Sequence, residues 1–263
     1  MVEALGYFGA LLIGLVLGLT GGGGSILTVP VLVYVMGLNP IIATAYSLFI
    51  VGTTSAFGTF QNLKKGVVDI KTGLQFAIPS LIAVFLTRKF LVPAIPEIVF
   101  EKDGFVLTRG SLLLVLFGIV MFAASISMLK KKSFQVPDKN PKLVYTVVKI
   151  ALVGVLIGLI GAGGGFLIIP ALVFMAKLPM RKAIGTSLLI IAINSLIGFT
   201  GDIGNITIDW VFLLSFSAVA IIGIFLGLYF SKFLNEGQLK KGFGWFVLVM
   251  ALFILTKELF FRL

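Results

Sequence analysis

Residues 18–30 read Gly18-Leu19-Thr20-Gly21-Gly22-Gly23-Gly24-Ser25-Ile26-Leu27-Thr28-Val29-Pro30, and residues 158–170 read Gly158-Leu159-Ile160-Gly161-Ala162-Gly163-Gly164-Gly165-Phe166-Leu167-Ile168-Ile169-Pro170. The two stretches lie 140 residues apart. Held at that offset without gaps, Leu32-Val33 meets Leu172-Val173, Ala43 meets Ala183, and Ser47-Leu48 meets Ser187-Leu188. Ser55 meets Ser195, Gly58 meets Gly198, Asp69 meets Asp209, and Phe85-Leu86 meets Phe225-Leu226. Chance similarity between glycine-rich segments does not align Pro, Ser and Asp in one ungapped register. The chain is an internal duplication, with repeats at 1–129 and 143–263 joined by a basic linker, 130–142, that holds Lys130-Lys131-Lys132, Pro137 and Pro141.

Each repeat is written for lipid. Of 263 residues, 59% are apolar and only 12% charged, about half the charge of an ordinary soluble domain. The mean hydropathy is +1.17, and the charges fall in short clusters between long apolar runs. The reading is an all-α polytopic membrane protein forming one integral membrane domain. The sequence has no Cys and no His. That excludes thiol nucleophiles, histidine bases and the usual zinc or haem ligand sets, so no cofactor or metal and no enzymatic activity are expected. The net charge of +11 is read as basic loops held on the cytoplasmic side rather than as a nucleic-acid footprint. Residues 1–4 lack a basic signal-peptide region, and the apolar run that follows leads into the glycine cluster, so the N-terminus is read as part of the mature chain.

Apolar runs over 41–60, 72–92, 110–129, 183–200, 207–231 and 243–261 each approach the length of a span. Two more apolar regions, 4–36 and 143–176, are broken by the glycine clusters. The arm 166–176 is 11 residues, about 16 Å of helix at about 1.5 Å per residue, too short for a hydrocarbon core of about 30 Å. Charge decides between a kinked span and a hairpin. The loops 61–71, 130–142, 177–182 and 231–242 are basic, whereas 93–109 and 201–209 carry the acidic residues. All four basic loops fall on one side only if 143–176 starts and ends there, as a hairpin does. By repeat symmetry 4–36 is a hairpin too, so each repeat has five membrane segments and the second is inverted, with both termini outside. A conventional eight-span arrangement puts two basic loops on the wrong side.

Irregular backbone at membrane depth is tolerated when it is buried in protein or lines a cavity. Glycines let a ligand approach the main chain, and the following short helix presents amide donors and a positive dipole end suited to an anion. Ser25 is the expected N-cap of the first such helix, with Gly165 at the matching position, and Pro30 and Pro170 are expected just inside these helices. The candidate ligand positions here are Gly22, Gly23, Gly24, Ser25, Gly163, Gly164 and Gly165. The alternative is close helix packing, which better explains Gly14-x-x-x-Gly18 and Gly154-x-x-x-Gly158. No Gly-Lys-Ser/Thr follows, so the clusters are not phosphate P-loops.

The next helix of each repeat carries a polar stripe. Ser47, Thr54, Ser55 and Gly58 share one face, as do Ser187, Asn194, Ser195 and Gly198. Tyr46, Ser47, Thr54, Thr186, Ser187 and Asn194 are the candidate substrate ligands; interhelical hydrogen bonding is the alternative for any single Ser or Thr. The spans are expected to hold almost no charge and no central carboxylate, with Asp69, Asp202 and Asp209 at helix ends or in loops.

The duplicated set Gly161-Ala162-Gly163-Gly164-Gly165 … Pro170 and Gly185-Thr186-Ser187-Leu188, with its degenerate copy Gly21-Gly22-Gly23-Gly24 … Pro30 and Ala45-Tyr46-Ser47-Leu48, resembles the sulfite exporter TauE/SafE family across nearly the whole chain. The copies differ where Ala45-Tyr46 replaces Gly185-Thr186. The resemblance implies a cytoplasmic-membrane transporter of sulfur-containing anions such as sulfite, sulfonates, sulfoacetate or thiosulfate. The expectation is a secondary transporter, an exporter, binding its anion at the midplane between the repeats with alternating access. Its partners are then a small anionic substrate, membrane lipid and a coupling ion, H+ or Na+; homo-oligomerisation is compatible with the pattern, and nucleic acid is not a partner. A passive anion channel, or a permease for another carboxylate or inorganic anion, is the competing reading. A membrane enzyme lacks any nucleophile–base pair.

Overall fold

The computed structural model describes residues 2–102, 105–129, 143–233 and 235–260. The basic linker 130–142 lies outside them. Repeat one contains α1 (Val2–Thr20), α2 (Gly24–Pro30), α3 (Pro40–Lys64), α4 (Ile70–Leu86), the single turn α5 (Val92–Ala94) and α6 (Arg109–Leu129). Repeat two contains α7 (Leu143–Ile160), α8 (Gly165–Phe174), α9 (Met180–Thr200), α10 (Trp210–Phe230) and α11 (Glu236–Phe260). Among the described residues, six stretches are long and apolar enough to cross a membrane: 3–20, 40–64, 70–94, 109–126, 180–200 and 210–233. Large apolar side chains point outward along them, with Val211 81% and Phe60 60% exposed, as a surface bathed in lipid requires.

Local chemistry sets the helix ends. Asn39 caps α3, its Oδ1 accepting the Ile41 amide at 2.9 Å, with Pro40 in the first turn. Asp69 caps α4 and Asp209 caps α10, accepting the amides of Thr72 and Phe212. Both aspartates therefore sit at helix ends, as read from the sequence.

α2 folds back along α1. A methyl at Gly24 would overlap Ile13 and Leu17, one at Gly9 would overlap Val31, and one at Gly6 would overlap Met36. α8 returns along α7 in the same way: Gly164 abuts Ile157, and Ile150 and Val153 share a cavity of about 20 Å³ with Ile168, Ala171 and Met175. The prolines lie deeper than expected. Pro30 is the last residue of α2, and Pro170 stands in the interior of α8. After Pro30 the chain widens into a π turn, Val31–Val35, because proline removes one amide and its ring pushes away the carbonyl four residues back.

Between the repeats, helix pairs recur with partners exchanged. α1 packs on α10 and its counterpart α7 packs on α4. Glycines permit both approaches: Gly14 lies against Ala220, and Gly154 lies against Ser80, whose carbonyl would be 2.6 Å from an added methyl. α3 packs on α9 in antiparallel fashion, with Gly58 near Leu188 and Gly198 near Leu48. α6 packs on α11. The loop 93–109 contains a small antiparallel hairpin, β1 (Ile98–Lys102) and β2 (Phe105–Thr108), with a bulge between Ile98 and Phe100. Its β-branched and aromatic residues, among them Ile98, Val99, Phe100, Phe105 and Val106, favour strand pairing.

Candidate substrate site

The two polar stripes face the protein interior. Ser47, Thr54, Ser55, Ser187, Asn194 and Ser195 are all inaccessible. Their partners differ. Ser187 Oγ donates to the Gly21 carbonyl at 2.6 Å, tying α9 to the first glycine tip. Asn194 Nδ2 donates to Ser80 Oγ at 2.8 Å. Ser47 Oγ, Thr54 Oγ1, Ser55 Oγ, Ser195 Oγ and Asn194 Oδ1 have no hydrogen-bond partner. A buried hydroxyl left unsatisfied costs about 1–3 kcal/mol. Several on the facing helices α3 and α9 call for an explanation.

The glycine tips lie beside them. Gly22 and Gly165 touch backbone to backbone, and an added methyl at Gly22 would lie 2.6 Å from the Gly165 carbonyl carbon. Gly163 (φ 64°) and Gly164 (φ 68°) are left-handed, a conformation that disfavours side chains. A methyl at Gly163 would sit 2.7 Å from Val51 and 2.9 Å from Ser195 Oγ. Close packing thus accounts for glycine at positions 22, 24, 163, 164 and 165. The N-terminus of α8 carries no side-chain cap, which leaves its dipole uncompensated next to Ser195.

Several expected ligands have other employment. Ser25 does not cap α2. The N-cap is Gly23, and Ser25 lies inside the helix, donating to the Gly22 carbonyl at 2.6 Å. Thr20 Oγ1 accepts the Gly23 amide at 2.8 Å, one of the free donors at this tip. Tyr46 and Thr186, 140 residues apart, both face away from the hydroxyl cluster: Tyr46 Oη accepts the Asp209 amide at 2.7 Å, and Thr186 Oγ1 accepts the Asp69 amide at 2.9 Å.

The spans hold more charge than their apolar runs suggest. Arg88, inside the run 72–92, is fully buried. Its Nε donates to Asp202 Oδ2 at 2.8 Å, Nη1 and Nη2 reach Thr44 Oγ1 at 3.2 and 3.3 Å, and Nη1 also reaches the Gly158 carbonyl at 3.4 Å. Thr44 in turn packs against Gly161, so the ion pair braces the second glycine tip. An arginine within an apolar span was the available signal, since it costs about 2.5–3.5 kcal/mol to insert and is rarely left unpaired. Glu258 on α11 is likewise buried and accepts a hydrogen bond from Tyr34 at 2.8 Å.

Lys65, Arg181 and Lys232 line one pocket of about 110 Å³ with Asn62, Leu19, Val67, Ile184, Leu228 and Ser231. Three basic loops therefore share one end of the molecule. Partial burial, and then the charge of Lys232, pull the Lys65 pKa below the ordinary lysine value.

Bundled helices with mostly apolar outward faces and a buried polar centre at two broken hairpins define a multi-pass membrane transporter. The chain belongs to the sulfite exporter TauE/SafE family, whose pattern matches residues 7–254. It is 31% identical over 255 residues to a "Probable membrane transporter protein" of Xylella fastidiosa, covering 94% of this chain and 92% of the relative. A protein of the same description from Methanocaldococcus jannaschii is 25% identical, covering 93% and 94% of the two chains. One from Bacillus subtilis is 28% identical, covering 82% and 84%. No solved structure matches.

Proposed function

We propose that this protein is a secondary transporter of small sulfur-containing oxyanions such as sulfite, sulfonates or thiosulfate, working as an exporter in the cytoplasmic membrane. The observation that carries the reading is the set of buried, unpartnered hydroxyls of Ser47, Thr54, Ser55 and Ser195 on facing helices beside the uncapped start of α8. Hydroxyl donors and a positive helix end suit an anion whose water is stripped away. The unpartnered acceptor Asn194 Oδ1 suits a protonated ligand oxygen or a water carried with it.

The antiparallel pairing of α3 with α9, and the gathering of Lys65, Arg181 and Lys232 at one end, support two inverted repeats with the basic end in the cytoplasm. The hydroxyls then lie between the repeats, and rocking of one against the other exposes them to each side in turn. H+ or Na+ supplies the coupling.

The test is flux of radiolabelled sulfite, thiosulfate and a sulfonate in proteoliposomes, with and without a proton or sodium gradient. Saturable, gradient-sensitive flux of one anion, lost in Thr54→Val or Ser195→Ala, is expected. Flux equal in the variants and the parent would remove the hydroxyl cluster as the site. Single-channel currents would replace the carrier with a channel.

A further inference from the structure

The two ends of the protein differ at equivalent positions. At the acidic-loop end, Arg88 and Asp202 form a buried ion pair beside Thr44 and Gly158. Moved by the repeat offset of 140 residues, Arg88 becomes Leu228, Asp202 becomes Asn62 and Thr44 becomes Ile184. Those three counterparts line the pocket of about 110 Å³ at the basic end. Where one end is closed by a guanidinium and a carboxylate, the other is a cavity.

Around that cavity stand Lys65, which follows α3, Arg181 at the start of α9, and Lys232, which follows α10. Leu19 from α1 contributes an apolar wall, and among the described residues no Asp or Glu lines the space. Three cations gathered around one cavity repel one another. Asn62 adds a second, independent feature: it is 4% exposed, lines the pocket, and its Nδ2 donor has no partner. A buried amide donor without an acceptor, under three positive charges, lacks one thing: an anionic oxygen. The depressed pKa of Lys65 agrees, because a neighbouring anion would relieve the repulsion from Lys232.

We propose that the pocket formed by Asn62, Lys65, Arg181 and Lys232 is an oxyanion-binding site at the basic end of the transport path, distinct from the hydroxyl cluster. It takes a small oxyanion, free in solution or carried on a lipid headgroup. Asn62 Nδ2 donates to one oxygen, and the three cations surround the charge that Asp202 supplies at the opposite end. Leu19 and Ile184 connect the pocket to the first glycine tip, since Gly21 packs on Ile184. An anion held here is staged one step from the centre. The binding claim stands without the transport reading; only its place on a path rests on it.

The experiment measures binding of radiolabelled sulfate to the full chain in zwitterionic phosphatidylcholine nanodiscs. Arg181→Gln and Lys232→Gln, each removing one charge-assisted contact, are expected to weaken binding about tenfold. Asn62→Leu, which removes the unpartnered amide donor, should weaken it several-fold. Lys71→Gln, which removes a charge of the same loop region outside the pocket, leaves affinity unchanged. Because Arg181 and Lys232 sit on different segments, failure of one variant to fold leaves the other to decide. No sulfate binding by the parent, or equal losses in Lys71→Gln and the pocket variants, would overturn the site. In anionic phosphatidylglycerol nanodiscs, unchanged sulfate affinity assigns the pocket to a free anion, and displacement assigns it to a headgroup. Thr54→Val retains pocket binding while losing flux, so failure of the transport reading is separable from failure of this one.

Discussion

Arg88, in the π turn Thr87–Leu91 that follows α4, and Asp202 beyond the end of α9, 114 residues apart, form a buried ion pair with Nη2 to Oδ2 at 2.6 Å. It links the two repeats at the acidic-loop end, where the opposite end has Leu228 and Asn62.

Removing one member strands the other. Arg88→Leu or Asp202→Asn alone should destabilise the protein by about 3–5 kcal/mol, the cost of a buried charge without its partner. The double variant Arg88→Leu/Asp202→Asn copies the residues of the opposite end and should recover much of that loss. Unfolding midpoints in detergent check this. A double variant no better than the sum of the singles would show that the pair is not what holds this end.

For the unpartnered hydroxyls, stability and function should move in opposite directions. Thr54→Val and Ser47→Ala remove buried groups whose unsatisfied hydrogen bonds cost about 1–3 kcal/mol each. The unfolding midpoint should hold or rise while anion flux falls. A drop in both would mean the hydroxyls have structural partners instead.

Tyr46 and Thr186 should behave in the converse way. Tyr46→Phe leaves the Asp209 amide without its acceptor, and Thr186→Val does the same for the Asp69 amide. Each should cost about 1–3 kcal/mol and leave the KM for the anion within a small factor of the parent. A large KM change at normal stability would return these residues to the ligand set.

Gly165→Ala should prevent correct assembly, because its methyl would overlap the backbone of Gly22. Gly242→Ala, which meets nothing within 4 Å on α11, should be neutral or stabilise by up to about 1 kcal/mol through helix propensity. Comparing the monodisperse yield of the two variants reads this out.

The lowered pKa of Lys65 gives the pocket a pH dependence. An oxyanion binds the protonated lysine better, so sulfate affinity should fall as pH rises through that depressed value, while Arg181 stays charged. For the empty protein the sign is reversed. The folded state binds the Lys65 proton less tightly than the unfolded chain, so the penalty is fully present below the folded pKa and fades as pH climbs toward the ordinary lysine value. Sulfate binding across alkaline pH, compared with Lys65→Gln, should show the slope flattened in the variant. An unaltered slope assigns the titration elsewhere.

Much of the architecture was legible locally. Span positions follow from apolar runs, and the helix caps at Asp69 and Asp209 follow from residue type at a boundary. The fold-back at the glycine tips follows from an arm too short to cross, taken with the side on which the basic loops fall. The shared faces of Ser47, Thr54 and Ser55, and of Ser187, Asn194 and Ser195, needed only helical periodicity. All of these depend on residues within a few turns of one another, which is the range over which hydropathy, capping and periodicity act.

Hydropathy, periodicity and an ungapped internal match thus suffice for a membrane bundle with a polar stripe in each half. The tertiary structure decided which hydroxyls on those stripes found partners: Ser187 reached Gly21 and Tyr46 reached Asp209, while Ser47 and Thr54 reached nothing. It also decided that Arg88 meets Asp202, and that Asn62, Lys65, Arg181 and Lys232 line one pocket. These outcomes turn on contacts across more than a hundred residues. A buried donor takes whichever acceptor the packing of distant helices delivers, and no local pattern encodes that choice.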